Sequence, residues 1–333
     1  MHLGSDPSVI EMTHLDRADK GRGPTISSIR SDTCVVITVT YNSASTIAAF
    51  LTSLEAEGDD ILRVVVVDNG SSDDTTTVIR QFVRDHPLDV VLIESTNTGF
   101  AGGYEVGRKA LTSSEAPILC LNPDVVLRRG TVRGLLEAIR EIPNVGIATT
   151  PLVGLDGVED NASRRSLPSL ASGSLYGVFG RLLPRQWRYN AGTRSSVTPS
   201  RLPSGTAYSR VEATTGALMM LSPSFRDGSG SIFDLDYWMY GEDLQLCRDA
   251  QRDGRSVVVV EMEPSVHVKG VSSGWPRSPA SHRAFHDAMA TYYEKNLRKS
   301  AAQALLVIGA IHMRFLATSL IAGIARRSTQ VRR

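Results

Sequence analysis

LRVVVVDNGSSDD, residues 62–74, is the segment that decides the fold of this chain. Four consecutive valines lead to Asp68, and Asn69 and Gly70 follow at once. A continuous β-branched run is typical of a strand buried on both faces of a parallel sheet, whereas Asn-Gly is a strong turn signal. The segment therefore predicts an inner strand that ends by delivering a carboxylate to one edge of a sheet.

The same alternation of apolar strand and helical segment covers the first half of the chain. Helical patterns follow the strands over residues 45–56, 74–84, up to about 111, and 131–140. The other strand segments are CVVITVT (34–40), DVVLIE (89–94), PILCLN (117–122) and VGIATT (145–150). Strands that alternate with helices in this way predict an α/β fold with a doubly wound, mostly parallel sheet of Rossmann-like plan.

The pattern changes after Pro151. Residues 152–210 are rich in Ser, Arg, Pro and Gly, with several aromatic residues, and predict an irregular insertion rather than a linker. Regular structure resumes with a strand at 217–222, a helix at 241–254 and a strand at 255–261. At the other end, residues 1–31 lack an apolar stretch, so we expect a disordered leader and no secretory signal.

Charge balance and cysteine spacing argue against a nucleic-acid partner and against a structural zinc site. With 36 Lys and Arg against 35 Asp and Glu, the net charge is +1, so we expect no nucleic-acid partner. Cys34, Cys120 and Cys247 lie far apart in apolar segments, which argues against a structural zinc site. We expect three core residues in a protein of a reducing compartment.

The C-terminal segment 304–325, ALLVIGAIHMRFLATSLIAGIA, is strongly apolar but has His312 and Arg314 near its middle. These residues argue against a simple transmembrane helix. On a helical wheel one face carries Leu305, Met313, Leu316, Leu320 and Ile324, and arginines 326, 327, 332 and 333 follow. Two interpretations stay open: a peripheral amphipathic helix on an anionic membrane surface, or a helix that packs on the domain or on a second subunit.

Four successive strand ends carry polar side chains. They are TVTYNS (38–43), VDNGSSDD (67–74), STNTGFAGG (95–103) and NPD (122–124). Each end alone is explained by an ordinary turn. Because ligands of an open α/β sheet bind at the carboxyl ends of its strands, four such ends together favour a binding site.

Two of these ends suit a nucleotide. Asp68 would accept a hydrogen bond from a pyrimidine ring N–H, and Asn97 with the glycines of GFAGG would let the backbone approach a phosphate. The Gly-x-Gly-x-x-Gly pattern after the first strand and the Walker A pattern are both absent from the sequence, which argues against dinucleotide binding and P-loop chemistry.

Three acidic residues and one histidine are candidates for the chemistry. Asp124 either belongs to a strand-ending turn or is a carboxylate carried to a reaction site. Glu242 and Asp243 begin a helix, where acidic residues suit the dipole, but Asp243 also suits a general base with Glu242 beside it. His267 follows a strand, and together with Asp124 it would form a hard-cation site with one nitrogen ligand.

Six motifs in order resemble the glycosyltransferase family 2 enzymes of GT-A fold. They are VVITVTYNS, VVVVDNGSSDDT, STNTGFAGG, LCLNPDVVL, TTGALMML and FDLDYWMYGEDLQLCRDAQRDG. Two further segments, NASRRSLPS (161–169) and SVHVKGVSSG (265–274), resemble the bacterial rhamnosyltransferase branch. The resemblance implies a GT-A domain over 32–299, with a nucleotide-binding half (32–150) and an acceptor-binding half (151–299), followed by the helix and tail 300–333.

The resemblance also implies roles for the candidate residues. Asp124 takes the place of the metal-binding aspartate, His267 helps to hold the metal or the diphosphate, and Asp243 is the catalytic base, with Glu242 beside it. Asn122 stands where the first aspartate of the family's Asp-x-Asp element is found. The residues implied to lie along the nucleotide are Thr40, Asn42, Asp68, Asn97, Gly99, Gly102, Gly103 and Asn122.

The implied activity is an inverting transfer, dependent on Mg²⁺ or Mn²⁺, from a nucleotide-sugar donor. We expect dTDP-L-rhamnose as the donor and a glycan or polyprenyl-diphosphate-linked acceptor in cell-wall or surface-polysaccharide synthesis. The expected location is the cytoplasm, peripheral at the inner face of the cell membrane, with a homo-oligomer left open. The alternatives are a UDP- or GDP-hexose donor, an inactive binding or scaffold protein, and a sugar-phosphate nucleotidyltransferase. The last would need a Gly-rich loop near the first strand, which is absent from the sequence.

Overall fold

A ten-stranded sheet and a three-stranded sheet form the centre of the structure, a computed structural model that describes residues 11–14, 32–111, 116–170, 199–226, 230–268 and 278–330. The strands are β1 (Glu11–His14), β2 (Cys34–Thr40), β3 (Ile61–Asp68), β4 (Val90–Glu94), β5 (Ile118–Leu121), β6 (Val125–Val126), β7 (Val145–Thr149), β8 (Leu152–Val153), β9 (Ser200–Arg201), β10 (Ala207–Val211), β11 (Leu218–Leu221), β12 (Ser256–Val260) and β13 (Ser265–His267). The helices are α1 (Ile47–Glu55), α2 (Thr75–Asp85), α3 (Gly99–Lys109), α4 (Thr131–Glu141), α5 (Pro223–Arg226), α6 (Glu242–Arg252), α7 (Pro279–Asn296) and α8 (Ala301–Gln330).

The large sheet has the strand order β1-β4-β3-β2-β5-β11-β7-β12-β10-β9. Strands β2, β3, β4 and β5 are parallel, and β7 and β12 are parallel to each other. Strand β11 is antiparallel to both of its neighbours, β5 and β7, so that β5 and β7 run in the same direction. The predicted α/β fold with a mostly parallel, doubly wound sheet is confirmed.

Helices cover both faces of this sheet. Val64 and Val66 of β3 point into a core formed with α1, α2 and α4, whereas Val65 and Val67 point into a second core formed with α3 and α6. This alternation is the period-2 geometry of a strand, and it buries all four valines among apolar side chains. The inference of a strand buried on both faces is therefore confirmed. Cys34, Cys120 and Cys247 are buried free thiols in these cores, as expected.

Two segments are more regular than the sequence predicts. Within the expected disordered leader, Glu11–His14 forms β1, which pairs antiparallel with β4. The backbone of an edge strand is open to such pairing, whatever the composition of the added segment. Within the expected irregular insertion, Ala207–Val211 forms β10 against β12, and residues 171–198 of that insertion lie outside the described residues.

The small sheet has the order β6-β13-β8 and lies beyond the carboxyl end of β5. Strand β13 pairs antiparallel with β6, so that His267 faces Val125, the residue after Asp124. The N–H of Val268 also donates to the backbone oxygen of Asp124 at 2.8 Å. This pairing brings two residues that are far apart in the sequence to the same place.

Close packing of α3 on the sheet generates a test of the fold. A Cβ at Gly107 would lie 2.7 Å from Cγ2 of buried Ile37 and 3.2 Å from Cγ2 of Val67. Because these side chains cannot yield easily, we expect Gly107→Ala to lower the free energy of unfolding by about 1–3 kcal/mol in urea denaturation.

Gly309→Ala is the matched control, since no atom lies within 4 Å of its Cβ position in α8. It should leave stability unchanged or raise it by up to about 1 kcal/mol through helix propensity. Equal stability of Gly107→Ala and wild type would contradict this packing of α3.

Candidate active site

Asp68 joins the ends of β2 and β3. Its Oδ1 accepts hydrogen bonds from Oγ1 of Thr40 at 2.9 Å and from Oγ of Ser71 at 2.5 Å, and its Oδ2 accepts from the backbone N–H of Ser71 at 2.9 Å. Asp68 is only 3% exposed, so these bonds replace the water that a carboxylate needs. A carboxylate has about four acceptor sites, so the three bonds leave capacity for one further donor.

Asn42 locks the neighbouring loops together. Its backbone N–H donates to Oγ of Ser71 at 2.8 Å, and its Oδ1 accepts from the N–H of Ser72 at 2.8 Å. It has a φ of 53°, a left-handed conformation that asparagine tolerates better than most residues. Thr40, Asn42 and Asp68 are thus held in one hydrogen-bonded unit at the carboxyl ends of two adjacent strands.

The start of α3 follows β4 at the same edge. Oδ1 of Asn97 accepts from the N–H of Gly99 at 3.0 Å, so this exposed side chain also organises the turn. Gly99 has a φ of 81°, and a Cβ there would overlap Trp238. The N–H of Phe100 donates to the backbone oxygen of Trp238 at 2.7 Å, so that the loop before α6 rests on the start of α3.

The glycines of this turn have packing roles as well as the predicted nucleotide role. A Cβ at Gly103 would lie 2.7 Å from Cγ1 of Val39, and one at Gly102 would lie 2.8 Å from Cβ of Thr98. Glycine at these positions is therefore explained by the approach of α3 to the sheet and to its own first turn.

Asp124 and His267 form the predicted pair. Oδ1 of Asp124 lies 3.3 Å from Nε2 of His267, and the other ring nitrogen, Nδ1, lies 3.7 Å from Oδ2 of Asp160. The histidine is buried between two carboxylates. In the ranges that the structure describes, no group of three or more His, Cys, Asp and Glu side chains has the geometry of a metal site.

Asn122 precedes this pair and connects it to β11. Its N–H donates to the backbone oxygen of Ala217 at 2.9 Å, and its backbone oxygen accepts from Val125 at 3.1 Å. Among the described residues its buried Oδ1 has no hydrogen-bond partner. The turn that ends β5 is thus real, and it also directs Asp124 toward His267, so the two interpretations of this segment are compatible.

Asp243 lies at the start of α6 and pairs with Arg165. Nη2 of Arg165 contacts Oδ2 of Asp243, and the same oxygen accepts from the N–H of Gly216 at 3.1 Å. Oδ1 accepts from the N–H of Leu244 at 2.7 Å. The side chains of Arg165 and Asp243 are 10% and 14% exposed, so this ion pair is largely removed from water.

Arg165 itself is held in place by the segment before β11. Its backbone pairs with Ala213 through two hydrogen bonds of 2.9 Å, and Nη2 donates to the backbone oxygen of Thr214. Because β11 is antiparallel to its neighbours, this segment lies at the same edge as the ends of β5 and β7. A fixed cation is thereby placed against the candidate base.

Glu242, next to Asp243, is buried. Burial and then the charge of Asp243 raise the pKa of Glu242, against a smaller opposing effect of Arg165. Its Oε2 has no hydrogen-bond partner among the described residues. The two adjacent carboxyl groups are therefore unequal, because Asp243 has a cation as partner and Glu242 favours its neutral form.

The predicted site residues lie at one edge of the large sheet or in the small sheet beside it. Asp68 and Asn122 lie at the carboxyl ends of β3 and β5, and His267 belongs to β13 of the small sheet. Asp243 is joined to this edge by the hydrogen bond from the N–H of Gly216, which precedes β11.

Sequence reasoning missed two residues of this site, Arg165 and Asp160. Arg165 belongs to NASRRSLPS, a segment noticed only for its resemblance, and its partner Asp243 is 78 residues away. The adjacent arginines were a signal, since buried or paired arginines need acidic partners. Asp160 carries no local signal that distinguishes it from a turn residue.

Comparison with known proteins identifies the family. The model of the family described as "Glycosyl transferase family 2" matches residues 35–205. The chain belongs to glycosyltransferase family 2. The match includes Asp68, Asp124 and Arg165, and it ends before Asp243.

Two curated relatives are similar to this glycosyltransferase. It is 29% identical over 265 residues to N-acetylglucosaminyl-diphospho-decaprenol L-rhamnosyltransferase of Mycobacterium tuberculosis, which covers 77% of this chain and 82% of that protein. It is 27% identical over 109 residues to poly-beta-1,6-N-acetyl-D-glucosamine synthase of Staphylococcus epidermidis, which covers 33% of this chain and 26% of that protein. The resemblance to rhamnosyltransferases is confirmed.

Solved structures support the GT-A fold of this glycosyltransferase. Mannosyltransferase PcManGT from Pyrobaculum calidifontis, in complex with GDP-Man and Mn²⁺, superposes with a TM-score of 0.52 at 16% identity, over 93% of this chain and 84% of that chain. S. aureus TarS 1–349 in complex with UDP-GlcNAc superposes with a TM-score of 0.50 at 15% identity, over 86% and 73%. At these identities the likeness concerns the fold.

The raised pKa of Glu242 predicts a pH-dependent stability. Because the folded state favours the protonated form, the stabilisation is complete below the ordinary value of 4.5 and is lost as the pH rises through the raised pKa. Glu242→Gln does not titrate at this position. Its free energy of unfolding relative to wild type should therefore increase from about pH 5 to about pH 9, as measured by denaturant titration.

Glu263→Gln is the control, since the side chain of Glu263 is 65% exposed. Its difference from wild type should change little over the same range. A difference between Glu242→Gln and wild type that stays constant with pH would show that Glu242 is not held neutral by the fold.

Proposed function

We propose that this glycosyltransferase moves L-rhamnose from dTDP-L-rhamnose to a polyprenyl-diphosphate-linked or glycan acceptor in the synthesis of cell-wall or surface polysaccharide. The relative named as a rhamnosyltransferase supports this assignment, because it aligns with 77% of this chain and 82% of its own length. Such a donor is cytoplasmic, and a polyprenyl acceptor places the reaction at the inner face of the membrane. A UDP- or GDP-hexose donor is the second candidate, since solved proteins of this fold hold GDP-Man and UDP-GlcNAc.

The observation that carries the proposal is the paired carboxylate of Asp243 at the same sheet edge as Asp68 and Asp124. Asp68 retains one acceptor site for a ring N–H of the base, and Thr40 and Asn42 hold it in position. The other residues proposed to contact the nucleotide are Asn97, Gly99, Gly102, Gly103 and Asn122. The buried Oδ1 of Asn122 is an acceptor that lacks a protein partner among the described residues.

Asp124 and His267 are the residues that would hold a divalent cation, Mg²⁺ or Mn²⁺. A carboxylate oxygen and an imidazole nitrogen 3.3 Å apart are a suitable pair of donors, and Asp160 beyond the second ring nitrogen matches the carboxylate that commonly orients a metal-binding histidine. Two protein donors would leave coordination positions of such a cation for oxygen ligands from outside the protein. When bound, such an ion offsets the negative charge of the leaving diphosphate.

Asp243 is assigned as the general base. Arg165 and the Gly216 N–H occupy Oδ2, whereas Oδ1 accepts only from Leu244 among the described residues, so Oδ1 is the oxygen with capacity for a proton. The acceptor hydroxyl passes its proton to Oδ1 while its oxygen bonds to the anomeric carbon. The bond from that carbon to the diphosphate breaks, and the diphosphate keeps the electron pair. One displacement of this kind inverts the anomeric carbon.

The proposal is tested by a donor screen with wild type and Asp243→Asn. Calorimetry with dTDP-rhamnose, UDP- and GDP-sugars, each with Mn²⁺, Mg²⁺ or chelator, measures binding, and product formation measures transfer. We expect wild type and Asp243→Asn to bind dTDP-rhamnose with metal, and Asp243→Asn to lose transfer by at least about 10²-fold because the base is gone. Asp253→Asn, an exposed carboxyl at the end of α6, should retain activity.

Three outcomes discriminate among the alternatives. Full activity of Asp243→Asn would remove the base assignment, and unchanged donor affinity of Asp124→Ala would remove the metal role. Binding of a UDP- or GDP-sugar instead would keep the transferase and reject rhamnose. If no nucleotide sugar bound, the protein would be an inactive scaffold.

Arg165 is a positioning residue in this mechanism, because it contacts the base and not the substrate. Arg165→Met leaves the carboxylate of Asp243 without its cationic partner and removes the contact that fixes its Oδ2. We expect kcat to fall at least about tenfold, with KM for the donor and donor affinity unchanged. Arg165→Lys should restore part of kcat, since it restores the charge.

The adjacent Arg164 provides the control. It is also a paired arginine, but its guanidinium binds Glu261 at 2.6 Å and 2.8 Å. Arg164→Met should change stability without the selective loss of kcat. An equal fall of kcat in both variants would show that Arg165 acts only through folding.

A further inference from the structure

Helix α8 presents large apolar side chains away from the protein. Five of them are 60–78% exposed: Leu305, Leu306, Met313, Leu316 and Leu320. With about 100° of rotation per residue, they fall within an arc of about 100° on the helix, and His312 lies at its margin. We call these five residues the apolar strip.

The opposite side of α8 packs on α7. Ala304 and Ile311 are buried there, and the ring of Phe315 stacks on His282 with 5.3 Å between centroids. Oγ1 of Thr318 lies 3.1 Å from Nε2 of His282. The helix therefore packs one apolar side, with the hydroxyl of Thr318, against the protein and presents a second apolar side outward, where a helix that faces water carries polar residues.

The charge of α8 has one sign. The sequence from 301 to 330 contains no Asp or Glu, and Arg326 and Arg327 lie near its end. Helical residues 301–320 have a mean hydropathy of 1.4, and only 11% of that stretch is buried. By length and composition the stretch could cross a bilayer. The contacts of Phe315 and Thr318 with α7 instead keep one side of the helix on the protein.

We propose that the apolar strip of α8 lies in the surface of an anionic phospholipid bilayer, with the helix axis along the membrane plane. An apolar face removes exposed surface from water when it enters the boundary between headgroups and acyl chains, and the arginines add attraction to anionic lipid. The absence of acidic residues from α8 removes the repulsion that such a surface would exert. A leucine-rich face this exposed is uncommon on a protein surface that meets only water.

This inference rests on α8 and not on the active site. Its test is therefore independent of the test of the proposed reaction. If both hold, the enzyme is concentrated where a polyprenyl-linked acceptor resides. No catalytic or nucleotide-binding residue assigned above belongs to α8.

The test is vesicle flotation of the purified full-length chain. Vesicles of phosphatidylcholine alone and of phosphatidylcholine with about one third phosphatidylglycerol separate the apolar and electrostatic contributions. We expect wild type to float with anionic vesicles and less with neutral ones. The triple variant Leu305→Gln, Met313→Gln and Leu316→Gln should lower the bound-to-free ratio at least tenfold.

The matched control carries the same kind of change at exposed apolar residues outside α8, as Leu62→Gln, Leu155→Gln and Val158→Gln. It should float as wild type does. Thermal denaturation of both triple variants monitors folding, which the exposed positions should not perturb.

Four results would overturn the proposal. Three of them concern flotation: the strip variant floats as well as wild type, the control variant loses as much flotation as the strip variant, or wild type does not float. The fourth is resistance of the membrane-bound protein to extraction by alkaline carbonate, which indicates a spanning helix. Wild type that fails to float but forms a dimer in sedimentation, with a monomeric strip variant, would assign the strip to a second copy of the chain.

Discussion

Burial of the central sheet on both faces is the constraint on which the rest of the structure depends. Alternate valines of β3 enter two separate cores, so apolar side chains fill the space on both faces of the sheet. Polar side chains of the inner strands can meet a substrate only where the strands end. Parallel strands end at one edge, and the candidate residues therefore collect there.

The reversed strand β11 completes that edge. Its first residues, rather than its last, lie beside the carboxyl ends of β5 and β7. The N–H of Gly216 thereby reaches Asp243, and the backbone oxygen of Ala217 reaches Asn122. One antiparallel strand thus ties the base at the start of α6 to the turn that carries Asp124.

Buried charge at this edge is stabilised in a different way for each acidic group. Asp68 accepts three hydrogen bonds, Asp243 has the guanidinium of Arg165, and Glu242 favours protonation. An unpaired carboxylate with so little water would cost several kcal/mol, on the order of the whole stability of a domain. The cation beside Asp243 and the burial of Glu242 thus make two adjacent carboxyl groups chemically different, an arrangement that separates a base from its neighbour.

The local sequence pattern alone determined the strands, the helices and the sheet edge at which polar groups gather. A half-buried strand repeats its apolar residues with a period of 2 and a helix with a period of about 3.6, so both can be recognised from consecutive residues. The same pattern made Asp68, Asp124 and His267 candidates, since each ends or follows an apolar run, and Asp243 was a candidate because it begins a helix. Tertiary structure decided the direction of β11, the recruitment of β10 into the sheet, the pairing of Arg165 with Asp243 and of His267 with Asp160, and the outward direction of the apolar strip. These features depend on contacts between residues far apart in the chain, and hydrophobic periodicity reports that a residue is buried without reporting which distant residue it meets.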